Sequence, residues 1–228
     1  VLRSLIKLCD RALIDSSEDS NPERRLVAWG DLFDTSLGRA AFGDLSWKHT
    51  SMWRRVIADA FQPTDLRENL VSIDSLTIKY STRLVPPHSG LSQSLLLIGW
   101  VAHALHWRMD RPLQKSARKG YSGTVRLEEQ LIQIHITPVD DDRERLGEVE
   151  SVALHSSKGL DILLEMGDSR DCVLLVQHAG VGVPMEAKVS VRTQTETELL
   201  SGELEELHSE ALYENSMKTL VALLENRR

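Results

Sequence analysis

A chain of 228 residues, 41% hydrophobic and 27% charged, is long and apolar enough to bury a sizeable core and is not disordered in composition. Its 27 Lys and Arg against 34 Asp and Glu give a net charge of −7, which argues against a phosphate-neutralising nucleic-acid surface. Two cysteines, Cys9 and Cys172, with no CxxC exclude a disulfide scaffold and a zinc knuckle and suit a reducing compartment. The most apolar run, Leu95 to Leu105, is broken by His103 and falls short of the roughly 20 residues that a bilayer span needs.

The sequence opens at Val1 in what reads as mid-helix, with Leu2, Leu5, Ile6 and Cys9 on one face, so a longer parent protein is expected. Ala12 to Asp15 reads as a buried strand ending in a polar loop. A helix over Glu23 to Leu37 follows, entered through Pro22 and closed by Gly38. This rhythm predicts the end of an N-terminal α/β domain over residues 1–43 and a C-terminal α+β domain over 44–228.

The stretch Asp44 to Arg55 concentrates two of the five tryptophans, Trp47 and Trp53, beside Arg54 and Arg55. Large aromatics among charges predict either an anchored junction or a contact surface. Trp53, Val56, Ile57, Ala60 and Phe61 form a helical stripe that Pro63 ends. Leu70 to Tyr80 reads as a strand whose phase slips at Asp74-Ser75, predicting a bulge. Leu91 to Trp107 is a strongly apolar helix, and Gly99 at its middle predicts close approach of another backbone.

From Gly123 the period becomes two. Alternating runs at Val125–Leu127, Ile132–Ile136, Val152–Leu154, Leu160–Met166, Cys172–Val176 and Met185–Val191 predict an antiparallel meander with one solvated face. A long final helix from about Gly202 to Asn226 is expected to cover it. The fold class is therefore mixed α/β, of the α+β kind.

Candidate chemistry is sparse. His103 and His106 have a spacing that suits one metal or simple packing, and no third ligand accompanies them. Asp140, Asp141, Asp142 and Glu144 lack the ligand spacing of a calcium loop and read as a solvated loop. Gly180 to Pro184 precedes a strand-like run and so does not fit a phosphate loop. Arg108, Arg111, Lys115, Arg118 and Lys119 form a basic cluster suited to an acidic partner or to a plain surface loop. No nucleophile–base motif is present, so no catalytic residue, cofactor or metal ligand is assigned.

Four segments carry a family resemblance. Gly43-Asp44-Leu45-Ser46-Trp47 with Trp53-Arg54 resembles the D-L-x-W…W-R signature of the OpcA family of glucose-6-phosphate dehydrogenase assembly proteins. Gly99-Trp100 with Leu105-His106-Trp107 resembles that family's G-W helix, Asp15-Ser16-Ser17 its D-S-S strand end, and Glu210 to Ser216 its E-A-L-Y-E-x-S helix. Met52 stands where the family usually has Pro. The resemblance implies a non-catalytic effector, corresponding to the C-terminal half or so of a longer protein. Such a protein binds glucose-6-phosphate dehydrogenase and promotes its active oligomer in the oxidative pentose phosphate pathway. It further implies redox control, with a thioredoxin link; Cys9 and Cys172, read from the sequence itself, are the candidate thiols. Its setting would be the cytoplasm of a cyanobacterium or a plastid stroma. Asp44, Trp47, Trp53, Arg54, Arg111 and Arg118 are the expected partner-binding residues. The rival expectation is an α/β enzyme whose site lies partly in the preceding region, near Asp15.

Overall fold

The computed structural model describes residues 6, 8–18, 21–36, 40–82, 89–116, 120–139, 148–167, 172–178, 185–189, 196–205 and 210–225. The chain begins with strand β1 (Arg11–Ile14), helix α1 (Pro22–Ser36) and strand β2 (Ala41–Asp44), the two strands pairing in parallel. Parallel partners need a crossover, and α1 supplies it. Its apolar positions Leu26, Trp29, Leu32 and Phe33 recur every three or four residues and are all buried.

Helix α2 (Leu45–His49) follows β2 directly and passes through Thr50 into α3 (Ser51–Ala60). The short α4 (Thr64–Arg67) and a 3-10 turn over Leu70–Ser72 lead into β3 (Ile73–Ser81). Helix α5 (Ser89–Ala104) then delivers the chain to β4 (Arg108–Lys115), β5 (Tyr121–Leu127) and β6 (Gln130–Val139). Strands β7 (Val149–Ser156), β8 (Leu160–Met166), β9 (Cys172–His178) and β10 (Met185–Val189) complete the sheet. Helices α6 (Glu196–Glu205) and α7 (Ala211–Leu224) follow it.

The alternating runs from Val125 onward are strands, as expected, and the mixed α/β class holds. Their arrangement holds more than a meander, with the eight strands ordered β10-β9-β8-β7-β3-β6-β5-β4. Strand β3 lies between β6, to which it is parallel, and β7, to which it is antiparallel. The predicted phase slip is a register shift between Ile73 and Ser75. Val71, expected in that strand, lies instead in the preceding turn with 61% exposure.

Two other expectations change. Arg108 to Lys115, part of the basic segment expected as a contact patch or loop, is the edge strand β4, paired with β5 through two register shifts. The final helix is two helices, α6 starting earlier than expected and α7 following it, with residues 206–209 outside the description. Gly38, Arg118, Lys119, the acidic loop at 140–144 and the glycine loop at 180–184 also lie outside it. So does most of the first predicted helix, of which Ile6 is buried in the core and Leu8 is 85% exposed.

Helix α5 is apolar almost all round because it is covered on two sides. Leu95, Leu97, Ile98 and Ala102 are buried where the sheet and α7 enclose it. The predicted close approach at Gly99 is observed: a Cβ there would stand 2.7 Å from the Ser216 carbonyl and 2.8 Å from Leu220 Cβ on α7. Alanine is a better helix former than glycine by about 1 kcal/mol, whereas overpacking costs about 1–3 kcal/mol. Gly99→Ala is therefore expected to destabilise the fold by up to about 2 kcal/mol net in urea unfolding; a stabilised variant would show that α5 and α7 do not meet there.

Candidate functional site

Asp44 ends β2 and caps α2, and its position follows from both roles. Its backbone is extended, as an N-cap requires, and Oδ1 accepts from the Ser46 amide at 2.9 Å. The same oxygen accepts from the Ser16 amide at 3.2 Å, tying the carboxyl end of β1 to that of β2. Asp15 lies beside it, accepting from Ser17 Oγ at 2.6 Å and from Ser46 Oγ at 3.3 Å. Ser92 on α5 donates to the Ser16 carbonyl at 2.8 Å. Asp44 is fully buried, and its Oδ2 has no hydrogen-bond partner among the described residues. Burial in this setting pushes its carboxyl up to about 7, against the opposing hydrogen bonds from Ser16 and Ser46.

Three residues on, Trp47 is 1% exposed. A buried indole needs an acceptor for its N–H, and Trp47 Nε1 donates to Glu210 Oε2 at 2.9 Å. The Arg54 guanidinium lies 3.6 Å above the Trp47 ring and 3.4 Å from Glu210 Oε1. Lys48 Nζ is 3.5 Å from Glu210 Oε2. Tyr213, in the first turn of α7, packs against Trp47 with the ring centroids 5.3 Å apart and accepts from Trp29 Nε1 at 3.1 Å. Burial draws the Arg54 guanidinium down from its ordinary value, and Glu210 opposes that. The arrangement is a buried tie between the start of α7 and the α2–α3 corner.

Of the residues expected from sequence, Trp47 and Arg54 therefore meet at the Glu210 carboxylate, while Asp44 is held separately by the Ser16 and Ser46 amides. Trp53 is 2% exposed and packs in the same core cluster. The alternative left open for this stretch resolves as the anchored junction, since both tryptophans are enclosed. Arg111 is exposed on β4, away from them, and Arg118 lies outside the described residues. Cys9 is part-exposed, its Sγ 3.4 Å from the Ile6 carbonyl. Cys172 is buried on β9, where burial pushes its thiol up to about 11, well above a reactive range. No group of three His, Cys, Asp or Glu gathers at metal-binding distance among the described residues.

Glu210 is the member that the sequence did not single out as a site residue. The signal that could have found it is chemical: a buried Trp–Arg pair demands an anionic acceptor. Its separation of 163 residues from Trp47 hid which one.

The family model for the C-terminal domain of the glucose-6-phosphate dehydrogenase subunit, OpcA, matches residues 40–217. The chain belongs to this family. Among curated relatives, OpcA of Synechococcus elongatus is 25% identical over 100% of this chain and 51% of its own length. OpcA of a Synechocystis strain is 25% identical over 99% of this chain and 47% of its own. Both carry the provisional name of OxPP cycle protein. The chain thus spans about half the length of the curated relatives it matches.

Among solved structures, KijD10, a 3-ketoreductase from Actinomadura kijaniata, is similar with a TM-score of 0.59 and 11% identity, over 98% of this chain and 71% of that one. The transcriptional regulator Gal80p from Kluyveromyces lactis gives 0.50 and 10%, over 96% and 75%. These likenesses show a shared fold.

The OpcA signature segments converge on one region: the D-S-S strand end on Asp44, the D-L-x-W corner on Glu210 and Tyr213, and the Gly99 helix on α7. Two outcomes follow. A raised carboxyl pKa means that the folded state holds a proton the unfolded chain releases. Asp44 thus contributes a loss of stability as pH rises from about 4 to about 7. Thermal melts of Asp44→Asn, which keeps an acceptor for the amides, should show a flatter pH dependence over that window; an unchanged slope would refute it. Glu210→Ala leaves the Trp47 N–H and the Arg54 charge without their acceptor, and is expected to cost about 2 kcal/mol in urea unfolding, with Glu210→Gln milder because it still accepts from Trp47.

Proposed function

We propose that the chain is the carboxyl-terminal part of a non-catalytic effector that binds glucose-6-phosphate dehydrogenase and favours its active oligomer. The observation that supports this reading is the use to which the family's characteristic residues are put. Trp47 and Arg54 spend polar atoms on Glu210, and Asp44 spends one oxygen on the amides of Ser16 and Ser46, all within the fold. They build a stiff body rather than an open constellation of acid, base and nucleophile. A stiff body with a partner-specific surface can act by differential binding. It shifts its partner's equilibrium by the difference in its affinity for two states, with no chemistry of its own. The cytoplasm, or a plastid stroma, is the setting that fits this role.

The rival reading is an enzyme whose site lies near Asp15 and is completed by chain outside this sequence. The perturbed Asp44 carboxyl at the strand ends favours it. Against it, Asp44 has no exposed surface for a substrate to touch.

The deciding measurement is a steady-state assay of the cognate dehydrogenase with and without the complete protein, titrating glucose 6-phosphate with native mass spectrometry in parallel. A lowered half-saturation together with a stable complex is expected. The absence of both a complex and a kinetic change would overturn the effector reading and turn attention to the enzyme.

A further inference from the structure

Four of the five tryptophans, Trp29, Trp47, Trp53 and Trp107, are at most 3% exposed. Trp100 differs. It lies on α5 beside Gly99 and remains part-exposed. It forms one wall of an apolar groove of about 300 Å³ with Ile57 and Phe61 of the α3 segment, Leu70 of the 3-10 turn and Leu105 past the end of α5. Val71, the residue after Leu70, is 61% exposed.

An aromatic held half open at the wall of an apolar depression is the arrangement that binding hot spots take. The groove's polar lining residues are Gln62 and Arg67, and its cation is Arg67. This exposed residue donates through Nη2 to the Gln62 carbonyl at 2.9 Å and makes no ion pair with a described residue. A guanidinium without a carboxylate partner among the described residues, set at an apolar mouth, selects a ligand with apolar side chains and a carboxylate.

We propose that this groove between α3, α5 and the Leu70 turn docks a segment of the partner enzyme. That segment inserts one or two large apolar side chains beside Trp100 and presents an Asp or Glu to Arg67. The proposal rests on the effector reading and deepens it by naming the contact face. Trp47 and Trp53 then act indirectly: the α2–α3 corner they lock in place is the one that carries Ile57 and Phe61 to the groove.

The test measures the affinity of the complete protein for its cognate glucose-6-phosphate dehydrogenase by biolayer interferometry, with three variants at exposed positions and Arg67→Lys as the charge-conserving counterpart. Arg67→Glu reverses the rim charge. Ala104→Lys sets a long cationic side chain across the mouth from an exposed position in its lining. Lys79→Glu alters charge on the sheet face turned away from α5 and serves as control. The expected result is binding weakened tenfold or more by each groove variant, Arg67→Lys retaining most of the affinity, and the control matching the parent. Circular dichroism melts of each variant confirm that the fold is kept. If the parent binds and both groove variants bind within threefold of it, the groove proposal falls and the effector reading stands. If the parent does not bind, the effector reading fails and the docking proposal falls with it. If the free protein self-associates, and the groove variants abolish that while keeping their affinity for the enzyme, a second copy occupies the groove and the proposal is overturned. If the groove variants keep their affinity but lower the melting temperature only in the complete protein, another part of its own chain covers the groove, and the proposal is equally overturned.

Discussion

The Glu210 carboxylate accepts from Trp47 across 163 residues of chain and from Arg54 across 156, and the packing of α7 depends on those two bonds. An indole N–H and a guanidinium at 12% side-chain exposure would both be costly to enclose without an acceptor. One carboxylate, 30% exposed, answers both and takes Lys48 as well. Because Glu210 is also the residue that starts α7, satisfying these donors sets where the helix begins. That places Tyr213 on Trp47, Trp29 and Phe33, and Ser216 and Leu220 against Gly99.

From this tie the layers follow. α7 sits on α5, α5 sits on the sheet, and the parallel pair β1–β2 is fastened to α5 through Ser16 and Ser92. Residues before and after position 43 contribute to one hydrophobic cluster. A structure closed in this way leaves few places for recognition among its described residues. The α3–α5 groove is apolar, and its rim carries a cation that meets no carboxylate among the described residues. That separates it from the polar outer face of the sheet, where Gln133, His135, Asp161 and Glu165 are exposed. On that face His155 meets Asp74 at 2.7 Å, and this hydrogen bond raises its pKa; it is a local, well-solvated pair.

Much of the fold is legible in residue order. The period-two runs are strands, the stripe from Trp53 to Phe61 is α3, and Gly99 marks a helix crossing. The basic run from Arg108 to Lys115 misleads. Its charges suggest a surface patch or loop, yet an edge strand with one solvated side tolerates charge at many of its positions. Pro112 in it is allowed because no second neighbour needs its missing N–H. The aromatic content of the Asp44–Arg55 stretch suits a contact surface equally well, and the weight of each tryptophan there cannot be assigned without knowing what lies opposite it.

The sequence by itself determined the local elements, the family and the composition of the core, because periodicity, caps and glycine positions act over a few residues. Strand order, the insertion of β3 between β6 and β7, and the enclosure of Trp47 were decided by tertiary structure. Each depends on a partner far away in the chain, and pairing at that range is set by the total burial and hydrogen bonding of the whole fold. The same holds for the groove: Ile57, Leu70 and Trp100 are ordinary apolar residues in their own segments. Only the packing of α3 beside α5 leaves Trp100 open to solvent while its four counterparts are buried.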